Sequence, residues 1–143
     1  HAQGGLAILA HPFEATIAPH TLARYFSQPE GLMSIGIDAV EVFNAGAITR
    51  GCNWVARRVF NRVNIPQVGN SDAHTPDCIG TGYTCFNGKT AADLRESIAH
   101  GWTRAEGKRW PVITYLKLMH TAIQWNRSIY LETNTPSTHP TLT

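Results

Sequence analysis

The sequence predicts an α/β fold in which parallel strands alternate with crossover helices. Residues 5–10 form a continuous apolar run, which suits a strand that is covered on both faces. Residues 37–44 carry β-branched valines and predict a second strand, and a third begins at Ile65. Between them, residues 49–63 have the apolar period of a helix. Strands and helices in this order indicate a parallel sheet with right-handed crossovers.

Weaker signals predict the remaining elements. Thr90 and Asp93 have the spacing of a capping box, so a helix is expected to begin there and to end at about Ala99. Pro111 fits the first turn of a final helix. The other expected elements are a short helix in residues 19–26 and strands in residues 83–86 and 102–105.

Length and composition indicate one domain with a packed core. The chain has 143 residues, of which 43% are hydrophobic and 15% charged, as is usual for globular proteins. Residues 1–130 are predicted to form this domain, and residues 131–143, rich in Thr and Pro, a loose tail. The net charge of +2 is too small to indicate binding to nucleic acid or to an acidic membrane.

The cysteines and the absence of long apolar runs predict a cytoplasmic protein. Cys52, Cys78 and Cys85 are odd in number and show no Cys-x-x-Cys spacing, so neither a disulfide framework nor a zinc knot is indicated. We expect all three to be reduced thiols. No apolar run approaches the roughly 20 residues that span a bilayer, and the first residues do not form a signal peptide, so no membrane association is expected.

Polar side chains lie at the ends of the first three predicted strands. His11 follows the first strand, Glu41 and Asn44 end the second, and Asp72 and His74 follow the third. The carboxyl ends of parallel strands meet on one rim, where such folds bind ligands. If the chain stays extended, Asp72 and His74 point to one side and can share a cation; zinc, manganese and iron suit this ligand pair. Alternatively, Asp72 starts a turn and His74 lies on the surface.

Other chemistries have less support from the sequence. Ser71, Asp72 and His74 are too close in sequence for a catalytic relay, and no Gly-x-Ser-x-Gly elbow occurs. Cys78 lies near His74, but no spacing supports it as a nucleophile, and an inert thiol is the favoured interpretation. Glu41 remains open as a metal ligand, a general base or the partner of an arginine.

Four segments of the chain together form a pattern typical of one family. They are Gly-Gly-Leu-Ala-Ile-Leu-Ala-His-Pro, Ile-Asp-Ala-Val-Glu-Val-Phe-Asn, Val-Gly-Asn-Ser-Asp-Ala-His and Ile-Gly-Thr-Gly-Tyr-Thr. With these segments, about residues 4–101 resemble the later part of the PHP family, the polymerase and histidinol phosphatase domains, in its branch of metal-dependent phosphoesterases. Members of this family begin with a His-x-His pair, which this chain lacks.

The resemblance implies a portion of a distorted (β/α)7 barrel that binds divalent zinc, manganese or iron. On the family pattern His11, Asp72 and His74 are metal ligands, and Asp72 and His74 take part in catalysis. Asn44 and Arg50 are candidates for substrate binding. The implied activity is hydrolysis of a phosphate ester of a nucleotide, an oligonucleotide or a sugar phosphate, by metal-activated water.

Two alternatives remain beside this enzyme. The chain could be a non-catalytic fragment or degenerate barrel half that acts in assembly, or a metal-dependent enzyme similar to amidohydrolases. Because the opening ligands of the family are missing, we expect the chain alone to bind metal weakly and to hydrolyse phosphate esters barely above background. We also expect it to associate with itself or with a missing N-terminal segment, and expect the longer parent chain to be active.

Overall fold

The computed structural model describes residues 1–14 and 27–134 of the chain. These residues belong to two compact units, His1–Trp110 and Pro111–Thr143. The short helix predicted in residues 19–26 lies outside the described residues.

The first unit is built on a parallel sheet of three strands. They are β1 (Ile8–Leu9), β2 (Ala39–Asn44) and β3 (Gln67–Asn70), in the order β1-β2-β3. Both neighbouring pairs are parallel. The described residues thus form a mixed α/β fold with a parallel sheet, as the sequence predicts, although each strand begins two or three residues later than expected. The barrel remains a prediction.

One face of this sheet packs against a helix. The first two helices of the described chain are α1 (Gly31–Ser34), which is one helical turn long, and the longer α2 (Cys52–Phe60). The buried residues of α2 form a core with the alternate residues of β2 that face it. This side of the sheet carries the larger of the two apolar clusters. Its buried members in β2 and α2 are Val40, Val42, Cys52, Ala56, Val59 and Phe60.

The other face of the sheet carries a smaller apolar cluster. Ala39 and Val68 lie on this face and pack with Ile98, while Leu6 and Leu94 are partly buried at its edge. Next to this cluster is a cavity of about 320 Å³, whose lining includes residues from all three strands. Because strand residues alternate between faces, Glu41 lies on this less covered side with Ala39.

The last two strands differ from the predicted pattern. The strands β4 (Gly82–Cys85) and β5 (Arg104–Gly107) pair with each other, and they are antiparallel. The parallel arrangement predicted from the first three strands therefore does not extend to this pair. Side-chain contacts join it to β3, because the Thr84 hydroxyl donates to the Gly69 carbonyl oxygen and accepts from the Gly69 N–H. Such contacts between distant segments leave no periodic signal in a sequence.

The helix between these strands, α3 (Ala91–Ala99), begins with the predicted capping box. The Thr90 hydroxyl accepts a hydrogen bond from the Asp93 N–H, and the Asp93 carboxylate accepts one from the Thr90 N–H. A further bond from the Lys89 N–H to the same carboxylate contributes most to lowering the pKa of Asp93. The start of this helix was predictable because the motif is local.

The second unit contains one long helix, α4 (Val112–Asn134). It extends past residue 131, where the predicted loose tail begins. Four apolar residues of α4 are exposed at intervals of four, three and four positions, so they form a stripe on one side of the helix. Within the described residues, no helix combines the length and the hydropathy that a membrane crossing requires. The stripe consists of Val112, Leu116, Met119 and Ile123.

Candidate functional site

An irregularity in β2 places two polar side chains on the same face. The pairing between β2 and β3 shifts after Glu41, so that Glu41 lies opposite Val68 and Asn44 lies opposite Asn70. Val68 and Asn70 are two residues apart and share a face of the sheet. Glu41 and Asn44 therefore share that face too, although they are three residues apart. This is the usual effect of a β-bulge, which redirects a side chain at a strand end.

His11 and Asp72 have an unusual backbone conformation. Their φ angles are +29° and +50°, and no other residue except glycine has a positive φ in the described parts of the chain. A non-glycine residue in this region costs on the order of 1–3 kcal/mol, and such residues concentrate at functional sites. His11 follows β1 by two residues and Asp72 follows β3 by two residues.

Of the two arrangements that the sequence left open after Val68, the conformation of Asp72 agrees with the turn and not with the extended chain. The strand β3 ends at Asn70 instead, and the Asn70 side-chain oxygen accepts a hydrogen bond of 2.9 Å from the Asp72 N–H. Asparagine often forms such a turn, in which its side chain imitates a backbone group. The alternation that would have put Asp72 and His74 on one side does not apply in a turn.

The Glu41 carboxylate connects His11 to the sheet. It is only 2% exposed, and its Oε2 atom accepts a hydrogen bond of 2.9 Å from the His11 N–H. Burial raises the pKa of Glu41 above its ordinary value of 4.5; the charge of Asp72 also raises it, while the hydrogen bond and the charge of His11 lower it. The Glu41 Oε1 atom is buried and has no hydrogen-bond partner among the described residues.

Asn44 connects the end of β2 to Asp72. The Asn44 Nδ2 atom donates a hydrogen bond of 2.9 Å to the Asp72 Oδ2 atom. The Asn44 Oδ1 atom is buried without a hydrogen-bond partner in the described parts of the chain. These bonds link His11 to Glu41 and Asn44 to Asp72, so that two hydrogen-bonded pairs lie at the carboxyl ends of β1, β2 and β3. We call these four residues the rim cluster.

His74 has a different environment from the rim cluster. Its side chain is exposed, and its ring meets the Trp110 ring edge to face, with 5.9 Å between ring centroids. The loop after β2 holds Trp110, because the Trp110 backbone N–H donates a hydrogen bond of 2.9 Å to the Ala45 carbonyl oxygen. Its ring covers Gly46 so closely that an added Cβ there would lie 2.9 Å from a ring carbon. Trp110 therefore contributes to the placement of His74.

Arg50 and Cys78 complete the set of residues considered from the sequence. Arg50 is exposed in the turn before α2, with no hydrogen bond or ion pair to the rest of the described chain. Cys78 is only 1% exposed, which keeps its thiol out of reach of a substrate. All three cysteines are free thiols. The structure pairs Asn44 with Asp72 and His11 with Glu41, whose role was open, while His74 and Arg50 lie exposed apart from these bonds.

The rim cluster has the chemistry of an incomplete metal site. Two buried acceptor oxygens without partners, Glu41 Oε1 and Asn44 Oδ1, each carry a cost of about 1–3 kcal/mol that a nearby cation would relieve. The His11 imidazole and the Asp72 carboxylate are ligand types for zinc, manganese and iron. No group of three or more His, Cys, Asp or Glu side chains is gathered to hold an ion within residues 1–14 and 27–134. The residues fit a divalent ion, but they supply only part of its ligands.

Two residues that support the rim were missed in the sequence. Glu14 is 5% exposed and accepts hydrogen bonds from the N–H groups of Ile48 and Thr49, at 2.9 and 3.0 Å, so it anchors the loop after β2. Asn53 bonds to the backbone of Asn44. Neither has a spacing that would identify it, because each acts on a segment 9 to 35 residues away.

We expect Glu41→Gln to stabilise the metal-free chain at neutral and alkaline pH. The pKa of Glu41 is raised in the folded state, so its contribution to stability is complete below its ordinary pKa of 4.5 and is lost as pH rises through the folded pKa. A glutamine side chain can still accept the hydrogen bond from the His11 N–H, but it carries no charge. Unfolding by urea with chelator should show a gain of about 1–3 kcal/mol near pH 8 and almost none near pH 4. An equal change at both pH values would mean that charge burial is not the cause.

Comparison with known families identifies one region of the chain. Residues 51–103 match the model of a PHP-associated family, which confirms the resemblance to the PHP family for a region typical of its C-terminal part. The matched region contains Asn53, Asp72 and His74, whereas His11 and Glu41 lie before it. The match shows no catalysis, so it supplies only a family context for these residues. No curated protein and no solved structure matches the chain significantly.

Proposed function

From the PHP-associated match of residues 51–103, we propose that the chain is part of a metal-dependent phosphoesterase of the PHP type. Its substrate would be a phosphate ester of a nucleotide, an oligonucleotide or a sugar phosphate. One observation carries this proposal. Among residues 1–14 and 27–134, the two non-glycine residues with left-handed backbone are His11 and Asp72, which are also the predicted ligands that follow β1 and β3.

In this proposal His11, Asp72 and His74 hold the divalent ion, which is zinc, manganese or iron. A ligand must be fixed in orientation to bind well, and groups that bond to the ligands usually do this. Asn44 fixes one oxygen of Asp72 through the bond to Oδ2, and the other oxygen has no hydrogen bond to the described chain. Glu41 fixes the backbone of His11. His74, the third proposed ligand, is exposed, and its ring packs against Trp110.

The proposed reaction is hydrolysis of the phosphate ester by water. A divalent ion supplies two things in such sites: it lowers the pKa of a bound water to about 7, and it offsets the charge of the phosphate oxygens. Asp72 and His74 are the proposed catalytic side chains, because they combine ligand chemistry with access to solvent. Arg50 is proposed to meet the phosphate of the substrate with an exposed guanidinium. Asn44, the other residue predicted to bind substrate, is only 2% exposed, so its proposed contribution is made through the bond that holds Asp72.

A second candidate is a non-catalytic role in assembly. Two observations favour it: the described residues gather no group of three acidic, histidine or cysteine ligands, and α4 presents a stripe of exposed apolar residues. Such a stripe would support self-association or pairing with another segment. The oligomeric state of the chain, measured by sedimentation with and without Met119→Lys in the stripe, tests this role. A monomer in both forms would speak against it.

Turnover of a chromogenic phosphomonoester and a phosphodiester tests the enzyme. The chain should be assayed alone and extended by any in-frame sequence that precedes it, with added Mn²⁺ or Zn²⁺ and with chelator. We expect turnover barely above background for the chain alone and chelator-sensitive turnover for the extended form. Asp72→Ala should abolish the latter. Activity that survives both chelation and Asp72→Ala would contradict the proposed function.

A further inference from the structure

Asn53, the second residue of α2, binds the backbone at the end of β2. Its Oδ1 atom accepts a hydrogen bond of 3.0 Å from the Asn44 N–H, and its Nδ2 atom donates one of 2.9 Å to the Asn44 carbonyl oxygen. One side chain therefore satisfies both polar backbone groups of one residue. Asn53 is half-buried, so these bonds are partly shielded from water.

These bonds replace a missing strand neighbour. The strand β1 pairs with β2 only through Ala39 and Val40, so it ends well before Asn44. The next backbone N–H, that of Ala45 just after β2, still donates a hydrogen bond to the Asn70 carbonyl oxygen at the end of β3. A side-chain amide carries the same donor and acceptor as a peptide group, so Asn53 can pair with Asn44 as a strand residue would.

We propose that Asn53 is a positioning residue for the metal site, an inference that rests on the proposed function. Asn53 fixes the Asn44 backbone, and the Asn44 side chain then donates to Asp72 Oδ2. Asp72 has φ of +50° and lies beyond the end of β3, so the sheet itself does not orient its carboxylate. The connection from Asn53 through Asn44 supplies that orientation. Loss of a group that orients a metal ligand typically weakens metal binding about 10- to 100-fold.

The residue type matters at this position. An aspartate could accept a hydrogen bond from the Asn44 N–H, but its second carboxylate oxygen would face the Asn44 carbonyl oxygen. An alanine can make neither bond. Asn53→Ala therefore removes both bonds, while Asn53→Asp removes one. Val59→Ala is a matched control, because Val59 lies on the same helix, is 4% exposed and packs in the core on the other face of the sheet. It destabilises the fold without touching Asn44.

The test uses the full 143-residue chain and two measurements. Titration calorimetry measures the affinity for Mn²⁺, and NMR of the metal-free chain measures the solvent exchange of the Asn44 side-chain amide protons. For Asn53→Ala we expect the affinity for Mn²⁺ to fall by about tenfold or more, and the exchange of the Asn44 amide protons to become about tenfold faster. For Val59→Ala we expect both values to stay within roughly twofold of the wild type, although its unfolding midpoint falls.

The two measurements separate this inference from the proposed function. If the wild type takes up no Mn²⁺, the proposed metal site is wrong for this chain, and the amide exchange alone then decides whether Asn53 positions Asn44. If Asn53→Ala does not fold, Asn53→Asp takes its place and should speed the exchange by a smaller factor. Unchanged exchange in the folded variant, or an equal loss of affinity in Val59→Ala, would overturn the positioning role.

Discussion

Asp72→Ala is expected to remove measurable binding of Mn²⁺ and Zn²⁺ to the chain. The substitution deletes the one carboxylate ligand of the proposed site, and it leaves the Asn44 amide without its partner. Because the described residues supply few ligands, the loss of one is expected to weaken binding by much more than the roughly tenfold expected for Asn53→Ala, which only orients a ligand. Titration calorimetry of the purified chain with each metal measures this directly.

Asp77→Ala provides the matched control for this measurement. Asp77 is an exposed aspartate in the short 3-10 helix Pro76–Cys78, five residues further along the chain, so its loss changes the net charge equally. It should leave the affinity for metal within roughly twofold of the wild type. If both variants bound Mn²⁺ as the wild type does, Asp72 would not be a ligand.

Phe60→Ala is expected to have the largest effect on stability. Phe60 is fully buried at the end of α2, and its ring lies 5.8 Å from that of Phe13. Truncation of a buried phenylalanine costs about 3–5 kcal/mol, because it removes apolar contacts and leaves a cavity. A domain of this size is usually stable by only about 5–15 kcal/mol. Urea unfolding of the two proteins should therefore show a much lower midpoint for Phe60→Ala.

Trp54→Ala is the control for the effect of Phe60. Trp54 lies on the same helix and is 69% exposed, so its removal should change the free energy of unfolding by less than about 0.5 kcal/mol. A loss below about 1 kcal/mol for Phe60→Ala would mean that the packing of α2 on the sheet does not stabilise the fold.

The rim cluster links stability to metal binding. Two residues with left-handed backbone, a buried carboxylate with a raised pKa and two buried oxygens without partners all cost free energy in the metal-free chain. An ion that binds only the folded state would stabilise that state in proportion to its occupancy. The rise in the unfolding midpoint on addition of Mn²⁺, and its loss in Asp72→Ala, is therefore a second measure of the same site.

The sequence by itself determined the order and type of most elements in the described chain. The helical period of residues 49–63 predicts α2, the capping box at Thr90 predicts α3, and two apolar runs with β-branched residues predict β2 and β3. These signals are local, since each depends on side chains within one or two turns or along one strand. They also place His11, Asn44 and Asp72 at the ends of neighbouring strands.

Only the tertiary structure decided how the side chains of the candidate site meet. The bulge in β2 puts Glu41 and Asn44 on one face, and the turn at Asn70 gives Asp72 its left-handed backbone and ends the alternation toward His74. Asn53 reaches the end of β2 from a separate helix. These features depend on which backbone groups lack a strand partner once the sheet is formed, and that is set by contacts between distant segments rather than by any pattern along the chain.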